Sequence, residues 1–314
     1  MPSKVYTAEE EAENIFGGYV FKHYALSPNS SSSINLASYP ITAHTDFYSV
    51  FTKVEDLREY VNYDYFMFEE TRYEELEWGD PSYNEDGYVV YPKPGMILSG
   101  KITIPAKYNG KPVLDIAGFY EQKITHMFFE KDSRLRKIST GAFYVNSSLA
   151  CKTLKYFDFI DSIRYIGSNA FRTVPLEMTV YNLPKNLYYI EDRVFNAAFK
   201  SAVPIIINIP SSVRVMNWFA FANNGSIPPT GNIINIGSAE SKSELDLSRA
   251  SDNGNDGYKL ISSERFTEIN FYTDLYNSGE DTFQYGNRGE KTLTEALDKA
   301  AVSYGYSPAL QIIH

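Results

Sequence analysis

The side chains that could do chemistry are few. The 314-residue chain has four histidines (His23, His44, His126 and His314) and a single cysteine, Cys151. No two histidines stand at a metal-ligand spacing such as H-E-x-x-H or H-x3-H, so a catalytic base or a zinc site has no local candidate. Cys151 has no neighbouring His, and no nucleophile elbow, dinucleotide fingerprint or phosphate-binding loop occurs. Two strand-like segments around His23 and His44 would allow a polar cross-strand pair, which needs no metal. The stretch SDNGNDGYKLISSE echoes the start of a calcium loop through Asp252, Asp256 and Gly257. Its third position is Gly254, however, and its twelfth is Ser263, with Glu264 one residue late. An ordinary Asn/Gly turn explains it better than a calcium loop does. The carboxylate pairs Glu69–Glu70 and Glu74–Glu75 lie in an acidic run that reads as a solvated face. The sequence therefore predicts no enzyme, no cofactor and no metal site.

A net charge of −10 and a pI near 5.0 argue against a nucleic-acid or anionic-membrane binder, because phosphate recognition needs a basic footprint. No apolar run of about 18 residues could span a membrane. One cysteine cannot make an intrachain disulfide, and a small buried thiol is the expected role of Cys151. Residues 1–14 carry Glu9, Glu10, Glu11 and Glu13 with no apolar core, which predicts no secretory signal. The 26 Tyr and 20 Phe against 2 Trp suit β-rich structure and contact surfaces.

The elements that would position any site come from an internal repeat. A phenylalanine recurs as Phe119, Phe143, Phe171, Phe195 and Phe221, spaced 24, 28, 24 and 26 residues apart. Five residues before the last four lies an apolar partner: Ile138, Ile166, Ile190 and Met216. About 11 residues before the Phe comes an alternating strand pattern, as in Ile124, Met127, Phe129; Leu154, Phe157, Phe159; Met178, Tyr181, Leu183; and Ile207, Ile209. Pro105, Pro184 and Pro210 follow such strands directly and end their ladders. A single unit cannot bury its own apolar face, so stacking of units must supply the core.

The units ITIPAKYNGKPVLDIAGF, LKYFDFIDSIRYIGSNAF, YNLPKNLYYIEDRVF and INIPSSVRVMNWFAF resemble surface-antigen-type, BspA-like leucine-rich repeats. The resemblance covers about 135 of 314 residues and implies surface recognition. The lengthened second unit around VNSSLACK and the missing Pro after Phe129 and Phe159 depart from it. Near the N-terminus, Tyr19, Phe21, Thr45, Phe47, Tyr48 and Phe51 resemble the second half of the β-grasp-like repeat of internalin B, with His23 and Tyr24 where Gly-Trp is expected.

The predicted fold is thus β-rich: a leucine-rich-repeat solenoid of about five to six coils, a small N-terminal β segment, and a C-terminal capping region containing one helix. The expected organisation is 1–53 as a partial β-grasp-like attachment segment and 54–99 as linker and N-terminal cap. Residues 100–236 form the solenoid, closing with a weak sixth strand around Ile234 and Ile236, and 237–314 form the C-terminal cap. VEDLREYV reads as a short helix and DGYVVYP as a strand. GEKTLTEALDKAAVSYG reads as a helix with Leu293, Ala296, Leu297 and Ala300 on one face and Thr292 as N-cap.

On the repeat strands the residue between the two inward hydrophobes faces out. That position holds Thr103, Phe128, Asp158, Asn182, Asn208 and Asn235. Stacking places them in one row. The asparagines predict either a hydrogen-bonded ladder or, with an exposed Phe128 at one end, a strip that binds a glycan or a protein. The functional expectation is a structural or recognition protein in a larger or oligomeric assembly. A phage virion component (fibre, baseplate or capsid decoration) is the first setting, with other virion or surface proteins and host-surface glycan or protein as partners. A bacterial or protist surface adhesin exported by a signal outside this chain is the alternative. A third reading is a glycan-active enzyme with carboxylates drawn from residues 244–290.

Overall fold

The structure, a computed structural model, describes residues 15–16, 19–27, 31–35, 47–53, 61–73, 84–217, 219–222, 224–246, 265–274, 282–284, 290–292 and 309–313. Among them the chain is almost entirely strand and turn, with a single 3-10 turn at Tyr63–Tyr65.

The repeat builds a solenoid with two parallel sheets. The first sheet stacks Lys111–Ile116, Lys137–Ile138, Tyr165–Ile166, Tyr189–Ile190 and Val215–Met216 in parallel register. Ile116, Ile138, Ile166, Ile190 and Met216 form its inward row, and all are buried. At its N-terminal edge Glu85–Pro92 joins Lys111–Ile116 in parallel and Phe66–Tyr73 in antiparallel pairing. The DGYVVYP strand is thus present, as one arm of a hairpin on the solenoid's first edge.

The recurring phenylalanines form a column. Phe119, Phe143, Phe171, Phe195 and Phe221 are fully buried, with successive ring centroids 5.9, 5.1, 5.4 and 5.2 Å apart. Burying each ring contributes roughly 1.5–3 kcal/mol. Each corner is held by a main-chain bond to the next coil: Phe119 N donates to Ala142 O, Phe143 N to Ala170 O, Phe171 N to Val194 O and Phe195 N to Ala220 O. Two residues before the last four phenylalanines the backbone is left-handed, at Gly141, Asn169, Arg193 and Phe219. Gly141 is further constrained, because a Cβ there would lie 2.6 Å from Tyr144 O.

The second sheet comes in two parts. Ser99–Ile104, Lys123–Phe129 and Tyr156–Phe157 form a three-stranded part. Val180–Asn182, Ile206–Ile209 and Asn232–Ile236 begin a five-stranded part, which continues through Phe266–Tyr272 and Ala309–Ile313. The parallel sheet therefore does not end at Ile236, as the loss of the corner phenylalanine had suggested. Ile269 and Phe271 extend the inward row, and both are buried.

The N-terminal segment is a three-stranded antiparallel sheet of Ile15–Phe16, Tyr19–Ala25 and Tyr48–Lys53, with Val50 opposite His23. Glu290–Thr292 pairs antiparallel with Thr282–Gln284. The helices expected from VEDLREYV and GEKTLTEALDKAAVSYG fall on residues outside the described set, apart from position 61 and from Glu290–Thr292, which is strand rather than helix. So do His44, His314 and the calcium-loop-like stretch from Asp252 to Glu264.

Candidate recognition surface

The outward row of the second sheet splits along the same break as the sheet. In the five-stranded part, Asn182, Asn208, Asn235 and Asn270 are direct neighbours in register, followed by Gln311. Their amides form one chain. Asn270 Nδ2 donates to Asn235 Oδ1 at 2.9 Å, Asn235 Nδ2 to Asn208 Oδ1 at 2.8 Å, and Asn208 Nδ2 to Asn182 Oδ1 at 2.7 Å. The direction is fixed at one end, because Asn270 Nδ2 also donates to the Glu268 carboxylate, which can only accept. Asn182 is exposed, while Asn208 and Asn235 are half-buried. Two residues earlier on the same strands, Val180, Ile206 and Ile233 make a second outward row in register. Val180 is 43% exposed, and the two isoleucines are half-buried.

In the three-stranded part the row is closed. Phe128 is fully buried, Thr103 is 9% exposed and Asp158 7%. The predicted exposed Phe128 is therefore corrected. Its ring lies 5.5 Å from Tyr156 and 6.2 Å from His126 on the same outward face, inside an aromatic cluster. His126 Nε2 is buried with no hydrogen-bond partner, and Nδ1 lies 3.0 Å from Thr125 Oγ1. Burial first, then the charges of Lys101 and Lys155, pushes its pKa down to about 4.

Beyond this row, buried amides fasten coil to coil. Asn224 Oδ1 accepts from Ala198 N, and Asn232 Oδ1 from Ile205 N, while their Nδ2 groups donate to main-chain carbonyls. Cys151 is buried, its thiol pushed up by burial and donating to Gln122 O at 3.2 Å, so it is structural rather than nucleophilic.

One polar cluster escaped sequence reasoning. On the outward side of the first sheet, Asp115 accepts from Ser139 Oγ at 2.7 Å with Lys137 Nζ at 3.7 Å, and burial lifts its pKa to about 6 against the pull of those two partners. Tyr165 and Tyr189 stack beside it in register. Asp115 and Ser139 are 24 residues apart, one repeat length, and that was the signal that could have paired them. Ser139 here donates its proton to a carboxylate, and among the described residues no third group orients it for attack. The arrangement reads as a structural polar pair in a stacked row, with Asp115 Oδ1 buried and without a hydrogen-bond partner among those residues.

Among the described residues no group of three or more His, Cys, Asp or Glu could hold a metal ion, and no helix is long and apolar enough to cross a membrane. A cleft of about 450 Å3 opens where the amide row meets the strand ends, lined by Asn182, Lys185, Asn208, Pro210 and the hydroxyls of Ser211, Ser238 and Ser241 among others.

Against protein-family models, residues 114–239 match the BspA type leucine rich repeat region in six copies. Over these residues the solenoid is similar to that family. No curated protein and no solved structure matches the chain. The β-rich, leucine-rich-repeat solenoid of about six turns agrees with the matched copies and with the stacked strands. A BspA-like solenoid belongs to a class of scaffolds that present surfaces to partners.

Proposed function

We propose that this protein is a non-enzymatic recognition module that binds its partner through the open, five-stranded half of the second sheet. The observation that carries this reading is the pair of outward rows there. An amide row of Asn182, Asn208 and Asn235 runs beside an aliphatic row of Val180, Ile206 and Ile233, both held in register by the parallel ladder. Rigid strands pre-organise these groups, so a partner pays little ordering cost on the protein side. The alternating polar and apolar rows suit a protein or glycan surface better than a nucleic acid, in keeping with the net charge of −10.

In this proposal the residues outside the solenoid, above all the N-terminal segment 1–53, attach it to a larger assembly. Residues 54–99 and 237–314 act as the caps. Two settings suit such a module: a virion, where it would be a fibre, baseplate or decoration component, and a cell surface, where it would be an adhesin. The BspA-like repeats favour surface display. Detection of the chain in purified virions would select the first setting, and detection in the producing cell's envelope the second.

The recognition surface itself is tested by replacing Val180 and Asn208 together with Lys and measuring binding of the intact chain to its native particle or target cell. Loss of at least ten-fold with an unchanged circular-dichroism melt is expected. Undiminished binding in a folded variant would remove this face from consideration.

A further inference from the structure

The amide row is directional, and its direction has a chemical result at the cleft. Every amide passes a donor toward Asn182, so Asn182 uses its Oδ1 to accept from Asn208 and keeps Nδ2 for the solvent-facing cleft. Hydrogen bonds in series polarise one another, which makes the terminal N–H2 a better donor than an isolated amide. At the opposite end, Asn270 Oδ1 is buried without a partner, so the chain of amides is closed there and open only at Asn182.

The rest of the cleft wall also donates. The Lys185 side chain is 82% exposed, with its Nζ 3.1 Å from Asp161 Oδ2. Ser238 Oγ accepts from Ser241 N at 3.0 Å, which leaves its hydroxyl proton to be given away, and Ser211 Oγ and Ser241 Oγ share a single hydrogen bond, which frees one more proton. The serine lip is held against the strand end by Gly237, whose left-handed backbone passes so close to the Ser243 amide that a Cβ would lie 2.6 Å from it. The side chains of Leu183 and Ile209 are buried in the core, and Pro210, half-buried, is the apolar part of the wall. No acidic side chain is among the described lining residues. At about 450 Å3 the space falls within the range of ligand sites, about 300–1,000 Å3.

We infer that this cleft is a subsite for an acidic saccharide, a sugar ring whose carboxylate is taken by Asn182 Nδ2 and Lys185 and whose hydroxyls meet Ser211, Ser238 and Ser241, with Pro210 under a C–H face of the ring. A donor-rich wall, whose Lys185 is paired with an Asp161 that does not itself line the cleft, selects an acceptor-rich anion. The row of hydroxyls and the proline select a sugar over a bare carboxylate. This rests on the proposed recognition role of the same sheet face and names the chemistry that one end of it takes.

The test is calorimetric titration of the intact chain with tetragalacturonate, with maltotetraose as the neutral sugar and N-acetylglycine as the sugar-free carboxylate. Tetragalacturonate is expected to bind at about 1 mM or tighter and at least ten-fold better than either control. Asn182→Asp replaces the free donor by a carboxylate yet still accepts from Asn208, so the amide row and the melting temperature stay intact while tetragalacturonate binding falls at least ten-fold. Lys185→Gln lowers it several-fold. Tetragalacturonate binding that is absent, or unmoved by both variants, overturns the proposal. Equal binding of N-acetylglycine overturns it in favour of a peptide C-terminus, and equal binding of maltotetraose in favour of a neutral-sugar site. Failure here with loss of native-particle binding in the Val180 and Asn208 double variant would leave the recognition face standing and remove only the saccharide.

Discussion

The two halves of the second sheet share one inward pattern and opposite outward faces. Ile102 and Ile104, Met127 and Phe129, Tyr181 and Leu183, Ile207 and Ile209, and Ile234 and Ile236 all turn into the same core. Outward, the first half carries Thr103, Phe128 and Asp158, which are buried, and the second carries Asn182, Asn208 and Asn235, which reach solvent or lie half-buried. A solenoid fixes where side chains point through its register. Whether a pointed-out position remains open depends on what else packs there, and register does not encode that. The same row can therefore be structural at one end and available for recognition at the other.

The sharpest way to break this comparison is to truncate the row in both halves. Phe128→Ala empties a fully buried site on the closed half and is expected to cost about 3–5 kcal/mol, read as a lowered denaturant midpoint. If Phe128→Ala melts like the parent protein, the closed half is not closed. Asn208→Ala, at the equivalent position of the open half, removes two links of the amide row, each worth about 0.5–1.5 kcal/mol, and is expected to cost about 1–2 kcal/mol because solvent can replace both.

Acid should act on the closed half first. His126 has a folded pKa of about 4 against 6.5 for the free side chain. The neutral ring is favoured in the folded state, so its stabilisation is complete above pH 6.5 and is lost as pH falls toward 4. The stake is on the order of 2–3 kcal/mol. His126→Phe should remove that loss, seen in urea midpoints measured at pH 4.5 and pH 7. Asp115, on the first sheet, runs the other way. Its folded pKa of about 6 lies above 3.8, so it favours folding while protonated and opposes it as pH rises from about 4 to about 6. Asp115→Asn keeps an acceptor for Ser139 Oγ and should raise stability at pH 7 by up to about 2–3 kcal/mol while leaving it unchanged near pH 3.5. An unaltered pH profile in either variant would show that the titration belongs to other groups.

These contrasts also mark what could be read from the sequence. The phenylalanine column and the inward rows were legible because each residue recurs at the repeat period, and the period follows directly from stacking. Asn182, Asn208 and Asn235 were legible as a row for the same reason. Asn270 and Gln311 were not, because 29 and 36 residues separate their strands from the preceding ones and no corner phenylalanine marks the coil. The burial of Phe128 was hidden because a period says which way a side chain points and nothing of what lies over it. Gly237 gave no signal either, since its need arises from the approach of Ser243, and the cleft exists only once two strand ends and that loop are brought together.

The break between the halves is itself bridged, and this allows the smallest and most selective test. Glu177, whose carboxylate is mostly buried, accepts from Lys155 Nζ at 2.8 Å and lies 3.7 Å from Lys200 Nζ, while Glu177 N donates to Lys155 O. Lys155 belongs to the closed half and Glu177 leads into the open one. With both lysines partly exposed, the pair is worth about 0.2–1 kcal/mol and weakens with salt. Glu177→Gln retains the shape and the main-chain bond and removes the charge. It is expected to lower stability by about 0.5 kcal/mol in dilute buffer and by nothing measurable at 1 M salt, where charges are screened within about 3 Å. Hydrogen exchange should localise the change to amides around Lys155 and Val180 and spare the phenylalanine corners. Exchange that rises evenly along the solenoid would mean that the two halves open as one unit, and that their difference is confined to the surface.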